Sequence, residues 1–271
     1  MFAGFKKIAL GTALFVGAVN SSFAGVVTVW GEALGGFSQS TINNFYNGLV
    51  GHSSTIAGGT LDTVNLTGTD LLWATQPAND YTAAELNSMA TFLLGGGRIA
   101  FMGEHGTFGA AQNTRINAAL AFLGSDILIN NVIVDSGFRS ASVVDGQILS
   151  HALTENVNTY QYAAFAPLTI GGTAEALMLG EENFGGDISI MMAYQNIGPG
   201  SIFLITDQNV WDNSPNWGGT FDNATMFENL LEAETGAPPV DPPGDVPEPA
   251  TVLLFGLGLA GLYYARRRRV L

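Results

Sequence analysis

Between residues 25 and 234, short apolar runs alternate with segments of helical period. Runs at 26–30, 71–75 and 98–102 are apolar at consecutive positions, the pattern of strands buried on both faces. Residues 38–49 have helical period. A stronger helix signal begins at Thr82, which stands three positions before Glu85 in capping-box spacing, with Leu86, Met89, Phe92 and Leu93 along one face. Gly95, Gly96 and Gly97 stop that helix. A glycine-rich loop at 103–109 then leads into a helix at 113–123, with Ile116, Leu120 and Leu123 facing inward.

Strand, helix, strand, helix in this order predicts an α/β domain with a mostly parallel sheet flanked by helices. Beyond Gly124 the pattern loosens. Short strands at 127–134, 141–144, 162–170 and 174–179 predict a mixed or antiparallel extension in the second half. Strands at 188–194 and 201–206, joined by a turn through Gly198, Pro199 and Gly200, precede a closing amphipathic helix at 222–232 that buries Met226, Phe227, Leu230 and Leu231.

Both chain ends depart from this pattern. Lys6 and Lys7 precede an apolar stretch at 8–18, and Ser22 and Ala24 supply the small residues that signal peptidase inspects, so residues 1–24 read as a signal peptide cut between Ala24 and Gly25. At the other end, residues 235–245 form a Pro-rich linker, and residues 246–271 contain Pro247, Glu248 and Pro249, then sixteen uncharged residues at 250–265, then Arg266, Arg267, Arg268 and Arg269. A helix over 250–265 rises ~24 Å at ~1.5 Å per residue, somewhat short of a ~30 Å hydrocarbon core. Tyr263 and Tyr264 suit the interface, and the arginines snorkel to the cytoplasmic headgroups, which predicts a transmembrane helix with the folded body outside.

This tail resembles the PEP-CTERM sorting signal, a proline-glutamate-proline motif followed by a short membrane segment and an arginine cluster. The resemblance implies processing by an exosortase-type enzyme, transient anchoring in the inner membrane with the domain in the periplasm, and a final place at the cell surface or outside a Gram-negative cell. The body, residues 25–234, has a resemblance of its own. Thr69-Asp70-Leu71-Leu72-Trp73, Tyr81-Thr82-Ala83-Ala84-Glu85-Leu86, the segment from Gly96 to Gly103, the segment from His151 to Val157, and the segment from Gly200 to Asp207 look like class I glutamine-amidotransferase-like domains. That likeness implies a flavodoxin-like or amidotransferase-like α/β architecture. Where enzymes of that family place a cysteine on the turn after a central strand, this chain has Gly103-Glu104-His105-Gly106. The implied acyl chemistry therefore lacks its nucleophile, and no G-x-S-x-G elbow replaces it.

Charge narrows the function classes. Residues 25–234 hold twenty acidic residues against Arg98, Arg115 and Arg139, a formal charge of −17. Such a body repels phosphate backbones, so nucleic acid is excluded as a partner, and the acidity reads as solubility outside the cell. With no cysteine there are no disulfides, thiolate nucleophiles or Cys-ligated metals. Ligands in open parallel sheets gather beyond the carboxyl ends of the strands, where Glu32, Gln76, Glu104 with His105, and Asp207 fall. Glu104, His105 and Asp207 would suit a divalent cation, joined by Asp212 or Asn213, while Trp211 or Trp217 would offer a flat face to a sugar. Each has an ordinary alternative: loop acid, hydrogen-bonded loop histidine, turn cap, partial core. No other cofactor is implied, and His52 and His151 read as structural. The expectation is an exported, non-catalytic envelope or extracellular-matrix protein, with signal peptidase, an exosortase-type enzyme and extracellular polysaccharide as partners. The alternative is a carbohydrate- or metal-binding module, or a hydrolase-like enzyme, at the strand ends.

Overall fold

The computed structural model describes residues 25–31, 39–212 and 219–233. In chain order its elements are β1 (Val26–Gly31), α1 (Gln39–Gly48), β2 (Ser53–Ala57), β3 (Leu71–Thr75), α2 (Ala83–Leu94), β4 (Arg98–Met102), α3 (Gly106–Phe122), β5 (Ile127–Ile129), β6 (Arg139–Ser142), β7 (Thr159–Tyr162), β8 (Leu168–Ile170), β9 (Glu175–Phe184), β10 (Asp187–Ile197), β11 (Gly200–Ile205), α4 (Asn209–Asp212) and α5 (Asn223–Glu232). A nine-stranded mixed sheet runs β2-β1-β3-β4-β11-β10-β8-β5, with β9 also paired to β10, and β6 and β7 form a separate hairpin. The first five strands of that order are parallel, and the remaining pairings are antiparallel.

Period-two alternation explains why the central strands are apolar throughout. In β3, Leu71 and Trp73 face one layer while Leu72 and Ala74 face the other, and Val29 with Trp30, Ala100 with Phe101, and Phe203 with Leu204 divide in the same way. One layer is completed by Ile42 and Tyr46 of α1 and by Met226, Phe227, Leu230 and Leu231 of α5. The other is completed by Met89, Phe92 and Leu93 of α2 and by Ile116, Ala119 and Leu120 of α3. Each fully buried Leu, Ile or Phe in these layers contributes roughly 1.5–3 kcal/mol.

The helix start at Thr82 forms as its spacing predicts. The Thr82 hydroxyl accepts from Glu85 N at 3.2 Å while Glu85 Oε2 accepts from Thr82 N at 2.8 Å.

Five expectations need correction. The expected loop at 103–109 is instead partly helix, because α3 begins at Gly106. Its glycines serve close packing: a Cβ on Gly106 would lie 2.2 Å from the Asn131 carbonyl carbon, and one on Gly109 would lie 2.6 Å from Glu104 Cβ. The expected strand at 127–134 stops at Ile129, and the one at 162–170 is split between β7 and β8. Val134 and Phe165 meet only in an isolated bridge, and the Ala163 amide is taken by the Asp207 side chain. The strand expected at 141–144 shifts back to Arg139–Ser142, leaving Val144 95% exposed. The expected strand at 174–179 lengthens into β9, which forms a hairpin with β10 through Gly185 and Gly186, at φ of 68° and 102°.

Edge strand β2, with mostly exposed side chains, carries no clear alternation and is held by pairing with β1. Among the described residues no helix is long and apolar enough to cross a membrane. The expected transmembrane segment at 250–265 lies outside the described residues, as do the signal peptide and the Pro-rich linker.

Candidate functional site

Because β3, β4 and β11 are parallel neighbours, their carboxyl ends bring Gln76, Glu104, His105 and Asp207 to one edge of the sheet. Glu104 is only 1% exposed. The turn that holds it is clamped by Asn113 of α3, whose Oδ1 accepts from Glu104 N at 3.0 Å and whose Nδ2 donates to the Glu104 carbonyl at 2.5 Å. Gly103 fits beneath this clamp because a Cβ there would lie 2.7 Å from Asn113 Oδ1. The Glu104 carboxyl accepts from His105 N at 2.7 Å and from Gln208 N at 3.3 Å, so it ties β4 to the segment after β11.

Asp207 is fully buried and works in the same way. Its Oδ2 accepts from Ala163 N at 2.6 Å and its Oδ1 from Asn209 N at 2.8 Å. Gln76 donates through Nε2 to the Gly103 carbonyl at 3.3 Å. Burial, and secondarily the negative charge of Asp207, pushes the Glu104 carboxyl up to about 8, against the effect of its N–H donors. Burial pushes Asp207 up to about 7, outweighing the donors at Ala163 and Asn209. Near neutral pH the pair therefore carries less than its two formal charges.

His105 is half-buried, and burial lowers its pKa, which favours the neutral imidazole. Its Nδ1 lies 2.8 Å from Thr107 Oγ1, so a hydroxyl does stand beside this histidine. The third member needed for nucleophile activation is badly placed. His105 Nε2 is 3.7 Å from Glu104 Oε1, beyond hydrogen-bond range, and that oxygen is already held by the histidine's own amide. Among the described residues no three His, Asp or Glu side chains are grouped to hold a metal ion, so Glu104, His105 and Asp207 do not form the cation site their sequence positions offered.

The remaining candidates separate. Glu32, Asn213 and Trp217 lie outside the described residues. Trp211 does not present a face to a sugar: it is 2% exposed, with its ring centroid 5.2 Å from that of Trp73 and 4.3 Å from that of Phe227. The short α4 directs it into the core, where aromatic packing outweighs exposure. His52 and His151 hold local structure, His151 Nδ1 accepting from Leu153 N at 3.1 Å. Sequence reasoning missed Asn113 and Gln208. Asn113 had one readable signal, an amide inside a helical segment.

Comparisons with solved structures place the body among α/β folds. It is similar to the mmIFT52 N-terminal domain, at 18% identity over 76% of this chain and 95% of that one, with a TM-score of 0.56. It is also similar to a cytoplasmic protein from Salmonella typhimurium LT2, at 14% identity over 76% of this chain and 98% of that one, with a TM-score of 0.52. At these identities the likeness is one of fold alone. No curated protein matches the sequence significantly. Residues 245–269 match the PEP-CTERM protein-sorting motif, and the chain thus carries at its C-terminus the signal of an exported, exosortase-processed protein.

Proposed function

We propose that the protein is a non-catalytic surface or extracellular-matrix component, delivered through the inner membrane with its body in the periplasm and released from its tail by an exosortase-type enzyme. In this reading residues 1–24 are removed by signal peptidase, residues 250–265 hold the chain in the membrane until processing, and the body is an amidotransferase-like α/β domain without that family's nucleophile. The single observation that carries the non-catalytic part is the use made of the strand-end carboxyls. Glu104 and Asp207 are occupied by the amides of His105, Gln208, Ala163 and Asn209, and so they join chain segments where an enzyme would keep a carboxylate open to substrate. The sorting motif at 245–269 supports the route.

Two measurements test the reading. Replacing Pro247, Glu248 and Pro249 together by alanine is expected to leave the full-length tail on the chain and hold it in the membrane fraction, as read by mass spectrometry and fractionation. Unaltered maturation and release would overturn the processing claim. The double variant Glu104→Ala plus His105→Ala, if folded, is expected to retain the native chain's behaviour at the cell surface. A hydrolytic activity present in the native chain and absent from this variant would overturn the non-catalytic claim.

A further inference from the structure

The parallel strands run in the doubly wound order β2-β1-β3-β4-β11, so the direction of winding reverses between β1 and β3. Ligands of open α/β sheets gather beyond the strand ends at such a reversal. There the body has a pocket of about 410 Å³, within the ~300–1,000 Å³ range of small-molecule sites. It is separate from the Glu104 and Asp207 cluster, none of whose members lines it. At its edge Gly31 has a φ of 103°, and a Cβ there would lie 2.3 Å from the Thr75 carbonyl oxygen. Only glycine lets β1 end so closely against β3.

The pocket's chemistry is specific. Tyr81 is partly exposed at the pocket and packs against the buried Trp30, with ring centroids 5.9 Å apart and planes tilted by 31°. The Trp30 indole N–H is used, donating to the Gly59 carbonyl at 2.9 Å, whereas the Tyr81 hydroxyl is buried and has no hydrogen-bond partner. Thr60 and Asn79, both exposed, add a hydroxyl and an amide at the rim.

Neither carboxylate at the pocket calls for a cationic ligand. Asp80 accepts from Arg115 Nε at 3.0 Å, and Glu85 is taken by the Thr82 amide and hydroxyl and by the Leu61 amide at 3.3 Å. Among the described residues no lysine or arginine lines the pocket, so they offer no counter-charge to a phosphate or a uronate. What remains is an amphipathic aromatic face ringed by neutral donors and acceptors.

We propose that this pocket is a binding site for a neutral saccharide, with a pyranose ring laid against the partly exposed Tyr81 and its hydroxyls met by Thr60 and Asn79. The site goes beyond the sorting reading and stands or falls independently of it, because binding is measured on purified protein whatever its route of export.

The test uses the full chain, purified in a detergent without a sugar headgroup, and titrates it with cellotetraose, maltotetraose, mannotetraose and the anionic trigalacturonic acid. Saturable binding of at least one neutral tetrasaccharide, followed by tryptophan fluorescence or calorimetry, is expected, with none for trigalacturonic acid. Tyr81→Ala should weaken that binding at least tenfold. Gly58→Phe provides a second probe: Gly58 lines the pocket with nothing within 4 Å of a Cβ, so a large side chain is added at the pocket without a clash at Cβ, and it should weaken binding even if Tyr81→Ala fails to fold. The proposal is overturned if no neutral probe binds saturably, if trigalacturonic acid binds as well as the neutral probes, or if a folded Gly58→Phe chain binds as the native one does.

Discussion

The backbone nitrogen of Gly25 donates to His52 Nδ1 at 3.0 Å. An accepting Nδ1 leaves the imidazole proton on Nε2, which stands 2.7 Å from Glu232 Oε1 and donates to it. The first residue beyond the expected signal-peptide cut is thereby tied to the last turn of α5. The site admits only glycine, since a Cβ on Gly25 would lie 2.7 Å from Leu231 Cγ and 2.9 Å from His52 Nδ1. His52→Ala removes the acceptor and leaves the Gly25 nitrogen, the terminal ammonium of the chain after the expected cut, without this partner. It is expected to lower stability by about 1–3 kcal/mol, seen as a lower urea midpoint at unchanged m-value. The exported chain should begin at Gly25 by intact-mass measurement.

The strand-end carboxyls predict a pH dependence. Glu104 and Asp207 titrate in the fold near 8 and 7, above the ~4 of free carboxyls, so the native state holds protons that the unfolded chain has already released. Stability from these two groups is therefore fully present below about pH 4, declines as pH rises toward 7–8, and levels off above. Each unit of elevation corresponds to about 1.4 kcal/mol. Glu104→Gln, which cannot ionise, should flatten the fall in melting temperature between pH 5 and pH 8. An unchanged slope would show that Glu104 titrates normally in the fold.

Arg98 predicts a stability effect of a different kind. Its guanidinium lies buried at the start of β4, donating from Nε to Ser201 Oγ at 3.1 Å, from Nη1 to the Leu230 carbonyl, and from Nη2 to the Ala233 carbonyl at 3.0 Å. A cation at the carboxyl end of α5 also complements the helix dipole. Lysine has no planar fork to serve three acceptors at once, so Arg98→Lys should destabilise the chain, by about 1–3 kcal/mol for each carbonyl left without a donor. Chemical denaturation of the variant checks this.

Gly106 predicts a steric effect at the start of α3. Alanine there must push the helix away from Asn131, whose backbone lies 2.2 Å from the added Cβ, and overpacking of this kind costs roughly 1–3 kcal/mol. Gly58→Ala, in open space, should stay within about 0.5 kcal/mol of the native chain. Equal thermal melts for the two variants would contradict the packing described for α3.

The sequence was most legible where the signal is local. The capping box at Thr82 and Glu85 spans three positions, and the apolar face of α5 repeats within ten residues, so neighbouring residues alone define them. Signals were misread where a residue answers to a distant one. Gly106 and Gly109 looked like loop glycines, yet they are required by Asn131 and Glu104. Trp211 looked free to meet a ligand, yet Trp73 and Phe227 enclose it. Strand β2 has too little alternation to be seen, and its place comes from pairing with β1.

The linear chain by itself determined the sorting signal, the absence of thiol chemistry, the acidic surface charge and the strand–helix alternation, because each depends on composition or on residues a few positions apart. Tertiary structure alone decided that Glu104 and Gln208, 104 positions apart, share a hydrogen bond, that the strand-end carboxyls turn inward, and that Trp30 and Tyr81 meet at a pocket at the reversal between β1 and β3. The reason is that strand order and side-chain burial minimise the free energy of the whole packed chain, and no short window of sequence contains the partners that set them.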